Sequence, residues 1–128
     1  MEFRETQAIY LQISDFVCEQ ILLNRWEIGN RVQSVRELGV ELQVNPNTVL
    51  RAYDFLQTNN IIFNKRGVGY FVAANAKSEI KSYRRNHFLE KELPILFKNM
   101  ELLEMTIDEL NTHYIKYKQT IQHKKSTN

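Results

Sequence analysis

Cysteine, proline and glycine are all scarce in this chain: of 128 residues, one is cysteine, two are proline and four are glycine. The lone Cys18 has no partner for an internal disulfide, and that usage fits a reducing compartment. Long apolar runs are missing too. Pieces such as Ile21-Leu22-Leu23 and Ile61-Ile62-Phe63 fall far short of the roughly 18 residues that a membrane span needs. The first five residues, Met1-Glu2-Phe3-Arg4-Glu5, form neither the basic nor the apolar region of a secretory leader, so the expected location is the cytoplasm. No nucleophile with a neighbouring base, no phosphate-cradling glycine loop and no paired-acid motif occurs. His87, His113 and His123 share no metal-ligand spacing, and no cysteine or carboxylate cluster joins them. Neither an enzyme nor a metal or other cofactor site is expected.

Charge of one sign is also lacking overall, with 17 Lys and Arg against 15 Asp and Glu. The distribution is uneven. Residues 1–75 hold seven basic against eight acidic groups, a balance of −1, and the remainder holds ten against seven, a balance of +3. If the first part binds a polyanion, it does so with a few well-placed arginines rather than a basic blanket.

With 43% hydrophobic residues, the chain can bury one modest core and a small second element. From Ala8 to Leu23, Ile9, Ile13, Phe16, Val17 and Ile21 recur at helical steps. Residues 24–30 then break the period with two asparagines and a glycine, and Trp26 and Ile28 are expected to pin this loop to the core. Ser34-Val35-Arg36-Glu37 carries the S-x-x-E capping pattern, which opens a second helix ending near Gln43. Asn45 can cap a third helix, with Pro46 at its first position, where the missing N–H costs nothing. Steps of about 100° per residue put Val49, Ala52, Tyr53 and Leu56 on one side of this helix and Asn47, Arg51 and Asp54 on the other. Thr48 and Leu50 fall on the borders. Ile61-Ile62-Phe63 and Tyr70-Phe71-Val72 then bracket a basic, glycine-bearing stretch, Asn64 to Gly69, which reads as a β-hairpin. Three helices and a hairpin are the order of a winged helix-turn-helix.

Beyond Ala76 the pattern is helical and more charged. Ile80, Tyr83, His87, Phe88 and Lys91 fit one stripe up to Leu93-Pro94, where a kink or short break is expected. Ile95, Leu96, Met100 and Leu103 resume the apolar face, and Thr106-Ile107-Asp108-Glu109 opens a last helix carrying Ile107, Leu110, Tyr114 and Tyr117. From Gln119 the chain is polar and expected to fray. Two helices cannot bury such a stripe alone, and a second copy of the chain is the economical cover. The expected fold class is thus mostly α with a small β-hairpin: a winged helix-turn-helix at 1–75, a helical dimerisation arm at 76–118 and a tail at 119–128.

Taken in order, the segments Ala8-Ile9-Tyr10-Leu11-Gln12-Ile13, Ile21–Arg25, Gly29-Asn30-Arg31, Ser34–Leu38, Asn47–Tyr53 and Arg66–Val72 resemble the GntR family of bacterial transcription regulators. The short helical tail with Glu92-Leu93-Pro94 is similar to its YtrA branch. That resemblance implies a homodimeric repressor of double-stranded DNA sites, often beside transporter genes, paired through its C-terminal helices. By position, Arg36 matches a DNA-contacting arginine of the second helix. Asn45, Asn47, Thr48 and Arg51 fall in the recognition-helix stretch, and Arg66 and Gly67 match the wing tip. The chain departs from the pattern at Pro46, where many members have arginine, and at Leu50, where a basic or polar group is usual. Gln33 replaces a proline, and Gln43 and Asn60 replace glycines, so Gln43 would be strained at a positive φ.

Each of these residues also has a plainer reading. Arg51 could pair with guanine O6 and N7, or simply with Asp54; Asn47 could read a base or only polarise the helix start. Thr48 is also a good local hydrogen-bonder, and Asn45 a simple cap. Arg36 could reach a phosphate or a nearby carboxylate. Lys65 and Arg66, with glycines that allow close backbone approach, form either a basic wing or a routine charged turn. Cys18 is expected to be a buried apolar group, and Tyr10 and Tyr53 to pack. A small-molecule effector is left open: Arg84, Arg85 and His87 could contact an anion, or form a solvated face. The alternative function is a winged-helix module that docks proteins without reading DNA.

Overall fold

The computed structural model describes Phe3 and residues 7–126; residues 1, 2, 4–6, 127 and 128 lie outside the described residues. Among the described residues six α-helices and two strands follow one another as α1 (Ile9–Leu22), α2 (Val35–Leu42), α3 (Pro46–Thr58), β1 (Ile62–Lys65), β2 (Gly69–Val72), α4 (Ala76–His87), α5 (Leu93–Leu102) and α6 (Ile107–Ser126). The chain divides into two compact units, residues 1–85 and 86–128. The boundary lies later than the expected 75/76 because the start of α4 belongs to the first core. Ala76 and Ile80 are fully buried there, and Tyr83 packs its ring against Phe55.

The first unit's core joins Ile13, Val17, Cys18 and Ile21 of α1 to Leu38 and Leu42 of α2 and to Val49, Ala52, Tyr53 and Leu56 of α3. Each fully buried aliphatic or aromatic side chain of this kind contributes roughly 1.5–3 kcal/mol over an exposed one. Small groups let α1 and α3 approach: Ser14 is buried against Ala52, and its hydroxyl donates to the Tyr10 carbonyl at 2.8 Å. Trp26 packs edge-on against Phe16, as expected, but Ile28 is 44% exposed and lies outside the core cluster. The reason is local: Gly29 donates its N–H to the Val72 carbonyl, so the backbone rather than Ile28 ties this loop down.

The two strands pair antiparallel, Ile62 with Val72 through Lys65 with Gly69. Arg31 adds a one-residue bridge beside Phe71, flanked by hydrogen bonds from Val32 N–H to the Tyr70 carbonyl and from Val72 N–H to the Asn30 carbonyl. The hairpin is thus fastened to the segment entering α2.

In the second unit a π-turn, Phe88–Glu92, leads directly into α5. Where a kink or short break is expected before Pro94, the α-helical ladder is interrupted by this π-turn and the helical path continues. A proline inside an α-helix removes a bond and crowds the carbonyl four residues back. Here the Leu93 N–H donates to the Phe88 carbonyl, five residues back, and this wider turn accommodates Pro94. Glu104, with φ +54, turns the chain from α5 to α6, a left-handed residue that no sequence signal marked. The Thr106 hydroxyl caps α6 by accepting the Glu109 N–H at 3.1 Å. α6 reaches Ser126, past the fraying point expected at Gln119, because no glycine or proline interrupts its lysines and glutamines, which are good helix formers. Among the described residues of this unit, Met100 is the buried apolar one. Ile95, Phe97, Leu102, Leu103, Ile107, Tyr114, Ile115 and Tyr117 all stay exposed.

Candidate nucleic-acid interface

The turn between α2 and α3 is set by two caps and one strained residue. Ser34 accepts the Glu37 N–H at 3.1 Å while Glu37 accepts the Ser34 N–H at 3.1 Å, which closes the capping box. Hydrogen bonding of the carboxylate by the Ser34 side chain and backbone holds the Glu37 carboxyl below its usual range, and the Arg31 charge lowers it further. α2 ends on Gln43 in the left-handed conformation, φ 56 and ψ 48, the strained geometry foreseen for it. Gly39 makes the turn close: a Cβ there would sit 3.1 Å from the Val44 carbonyl oxygen. Asn45 then accepts the Asn47 N–H at 2.8 Å, and Pro46 opens α3.

From this start the faces of α3 follow. Val49, Ala52, Tyr53 and Leu56 have no exposed surface, and the Tyr53 hydroxyl donates to the Gln33 carbonyl at 2.6 Å. Burial pushes the Tyr53 phenol well up. Asn47 and Arg51 are exposed one turn apart, Thr48 is half-buried, and Leu50 is 40% exposed. Arg36 is exposed in the first turn of α2. Asn45 is exposed, with its side-chain oxygen already engaged in the cap.

Arg51 does not simply reach into solvent. Its guanidinium lies over the Tyr10 ring, 4.0 Å from the centroid. The Tyr10 ring in turn stands edge-on to Phe55 at 6.0 Å, and Phe55 edge-on to Tyr83 at 5.3 Å.

On the hairpin, Lys65 belongs to β1 rather than to the tip, and its ammonium sits 4.7 Å from the Phe71 ring centroid. Phe71 stacks on Phe63 across the strands at 5.7 Å, as cross-strand partners do. Arg66, Gly67 (φ +80) and Val68 form the exposed tip. Arg31 is a cation that the site reading of the sequence missed. A Cβ on Gly69 would lie 2.9 Å from its Nε, so the arginine runs across the wing where only glycine leaves room. The signal was the Gly67-x-Gly69 spacing, but nothing local names a residue 38 positions upstream as what fills that space.

The second unit holds a groove at the α5–α6 turn, lined by Phe97, Met100, Glu101, Glu104, Met105, Thr106 and Ile107. Its charged groups are acidic, the wrong sign for an anionic effector, and Arg84, Arg85 and His87 do not line it. Among the described residues no cluster of His, Cys, Asp or Glu could hold a metal ion, and no helix is long and apolar enough to cross a membrane.

Two helices across a tight turn, a third packed behind them and a pinned hairpin define a winged helix-turn-helix, a class built to present one helix to a DNA groove. The chain belongs to the GntR family: the family described as "Bacterial regulatory proteins, gntR family" matches residues 9–72. A GntR-family transcriptional regulator of known structure from Bacteroides thetaiotaomicron superposes with a TM-score of 0.79 at 43% identity, over 88% of this chain and 98% of that one. The HTH-type transcriptional regulator YhcF of Bacillus subtilis is 31% identical over 85% of this chain and 88% of its own length. The HTH-type transcriptional repressor YtrA of the same organism is 38% identical over 60% of this chain and 59% of its own. The protein is therefore a DNA-binding transcription regulator with YtrA-like relatives, and not an enzyme.

Proposed function

We propose that the protein is a dimeric repressor that binds a pseudo-palindromic operator, each protomer laying α3 in a major groove and its hairpin along the neighbouring minor groove. The observation that carries this reading is the division of α3 into a fully buried apolar face and an exposed face bearing Asn47 and Arg51. A guanidinium presented there can donate two hydrogen bonds to guanine O6 and N7. Arg36, Asn45 and Thr48 flank it as phosphate or helix-start contacts, while Lys65, Arg66 and Gly67, with Arg31 beside them, supply the wing. With Pro46 and Leu50 where relatives often have polar groups, base reading rests on Asn47 and Arg51.

Pairing through the second unit is supported by its exposed apolar side chains, among them Phe97, Leu102, Leu103, Ile107 and Tyr117. Repression is proposed by analogy with the transcriptional repressor YtrA, and neighbouring transporter genes are the targets that the resemblance implies. The test is to titrate the protein against the DNA upstream of its own gene at several salt concentrations. Affinity should fall steeply as salt rises, with a footprint of two symmetric halves. A flat salt dependence with no symmetric footprint would favour the protein-docking alternative.

A further inference from the structure

We propose that Tyr10 is the positioning residue for Arg51, holding the guanidinium in the orientation from which it reads its base; this rests on the reading of Arg51 as a base contact. An arginine on an exposed helix face ordinarily samples many rotamers, and ordering it on DNA opposes binding. Here the guanidinium is already seated, 4.0 Å from the centre of the Tyr10 ring. The contact uses the π face of the cation and leaves the N–H donors around its edge for in-plane hydrogen bonds, so stacking on Tyr10 and bidentate pairing with guanine are compatible.

Tyr10 is itself held. Its ring stands edge-on to Phe55 of α3, and Phe55 stands edge-on to Tyr83 of α4, with centroids 6.0 and 5.3 Å apart. Tyr10 is half-buried in α1 against the core, so the platform under Arg51 is carried by a different helix from the arginine and is braced from the arginine's own helix by Phe55. Loss of the ring should leave Arg51 present but unseated.

The experiment measures discrimination as well as affinity. Wild type, Arg51→Ala, Tyr10→Leu, Tyr10→Phe and the double variant Tyr10→Leu/Arg51→Ala are titrated against a footprinted operator and against operators with single base pairs exchanged. The position read by Arg51 is the one whose exchange weakens wild type but not Arg51→Ala, by about five- to a hundredfold. At that position Tyr10→Leu should reduce the ratio of right to wrong affinity about three- to tenfold. Tyr10→Phe, which keeps the ring, should stay within about twofold of wild type. In the Arg51→Ala background Tyr10→Leu should have no further effect on the ratio. Partial unfolding lowers affinity for both duplexes equally and leaves the ratio unmoved; should Tyr10→Leu fail to fold, Tyr10→Met removes the π face with an unbranched chain of similar reach. An unchanged ratio in the ring-less variant, or an equal loss in Tyr10→Phe, overturns the inference. If Arg51→Ala itself alters discrimination at no position, the base-contact reading fails, and the inference with it.

Discussion

Cys18 shows how one side chain can be redefined by its surroundings. Burial pushes its thiol up to about 12 from 9.0, with Arg84 pulling the other way and Asp15 adding to the rise. Because the folded value exceeds the unfolded one, the contribution is fully present below pH 9.0 and is lost as pH rises from there toward about 12. Urea unfolding between those limits should show falling stability, with a shallower fall in Cys18→Ala. The buried Tyr53 phenol, also raised, adds to the fall in both proteins. Gly69 makes a second residue-scale case, with φ +136 and the Arg31 side chain against it. Gly69→Ala should cost about 1–3 kcal/mol in denaturant unfolding, and Arg31→Ala should relieve the steric share of that loss but not the backbone strain. The burial of Cys18 was legible from its type, since a free cysteine behaves as a small apolar group. The Arg31–Gly69 and Arg51–Tyr10 contacts were not, because each joins residues tens of positions apart and periodicity says nothing of which distant ring or glycine a long side chain will cross.

Elements were legible where a local signal and the apolar period agreed. The capping box at Ser34, Asn45 followed by Pro46, and the Thr106 cap each open a helix where the sequence puts it. Within the first unit the stripe on α3 matches the buried set without exception. Reading was less specific where one residue had two structural outcomes. Pro94 can break a helix or be absorbed by a wider turn, and neighbouring bonds five residues apart decide the matter. Likewise the polar tail can fray or extend α6, and good helix formers without a stop signal extend it. Gln43 tests the strain at the helix-turn-helix corner. A non-glycine residue at φ 56 is destabilised by roughly 1–2 kcal/mol, partly offset by the entropy that glycine would lose. Gln43→Gly should therefore raise the unfolding free energy by about 0.5–1 kcal/mol, with DNA affinity unchanged, since Gln43 lies outside the proposed contacts. A decrease in stability would show that its side chain contributes more than the backbone conformation costs.

Over the whole molecule, the near-neutral first 75 residues and the apolar residues left open on the second unit suit a protein that binds through placement rather than bulk charge. A single winged helix with a few arginines offers limited phosphate contact, and pairing doubles both the contact and the sequence read. The proposed dimerisation would thus bear on specificity as much as on stability. The measurement that tests this most directly is selection of bound sites from a random DNA pool with the full chain. The expected result is an enriched inverted repeat whose half-sites are about one helical turn apart, or a multiple of it, and whose most constrained base pair is the one lost in Arg51→Ala. A single asymmetric motif would contradict pairing on DNA, and no enriched motif at all would contradict sequence-specific reading by α3.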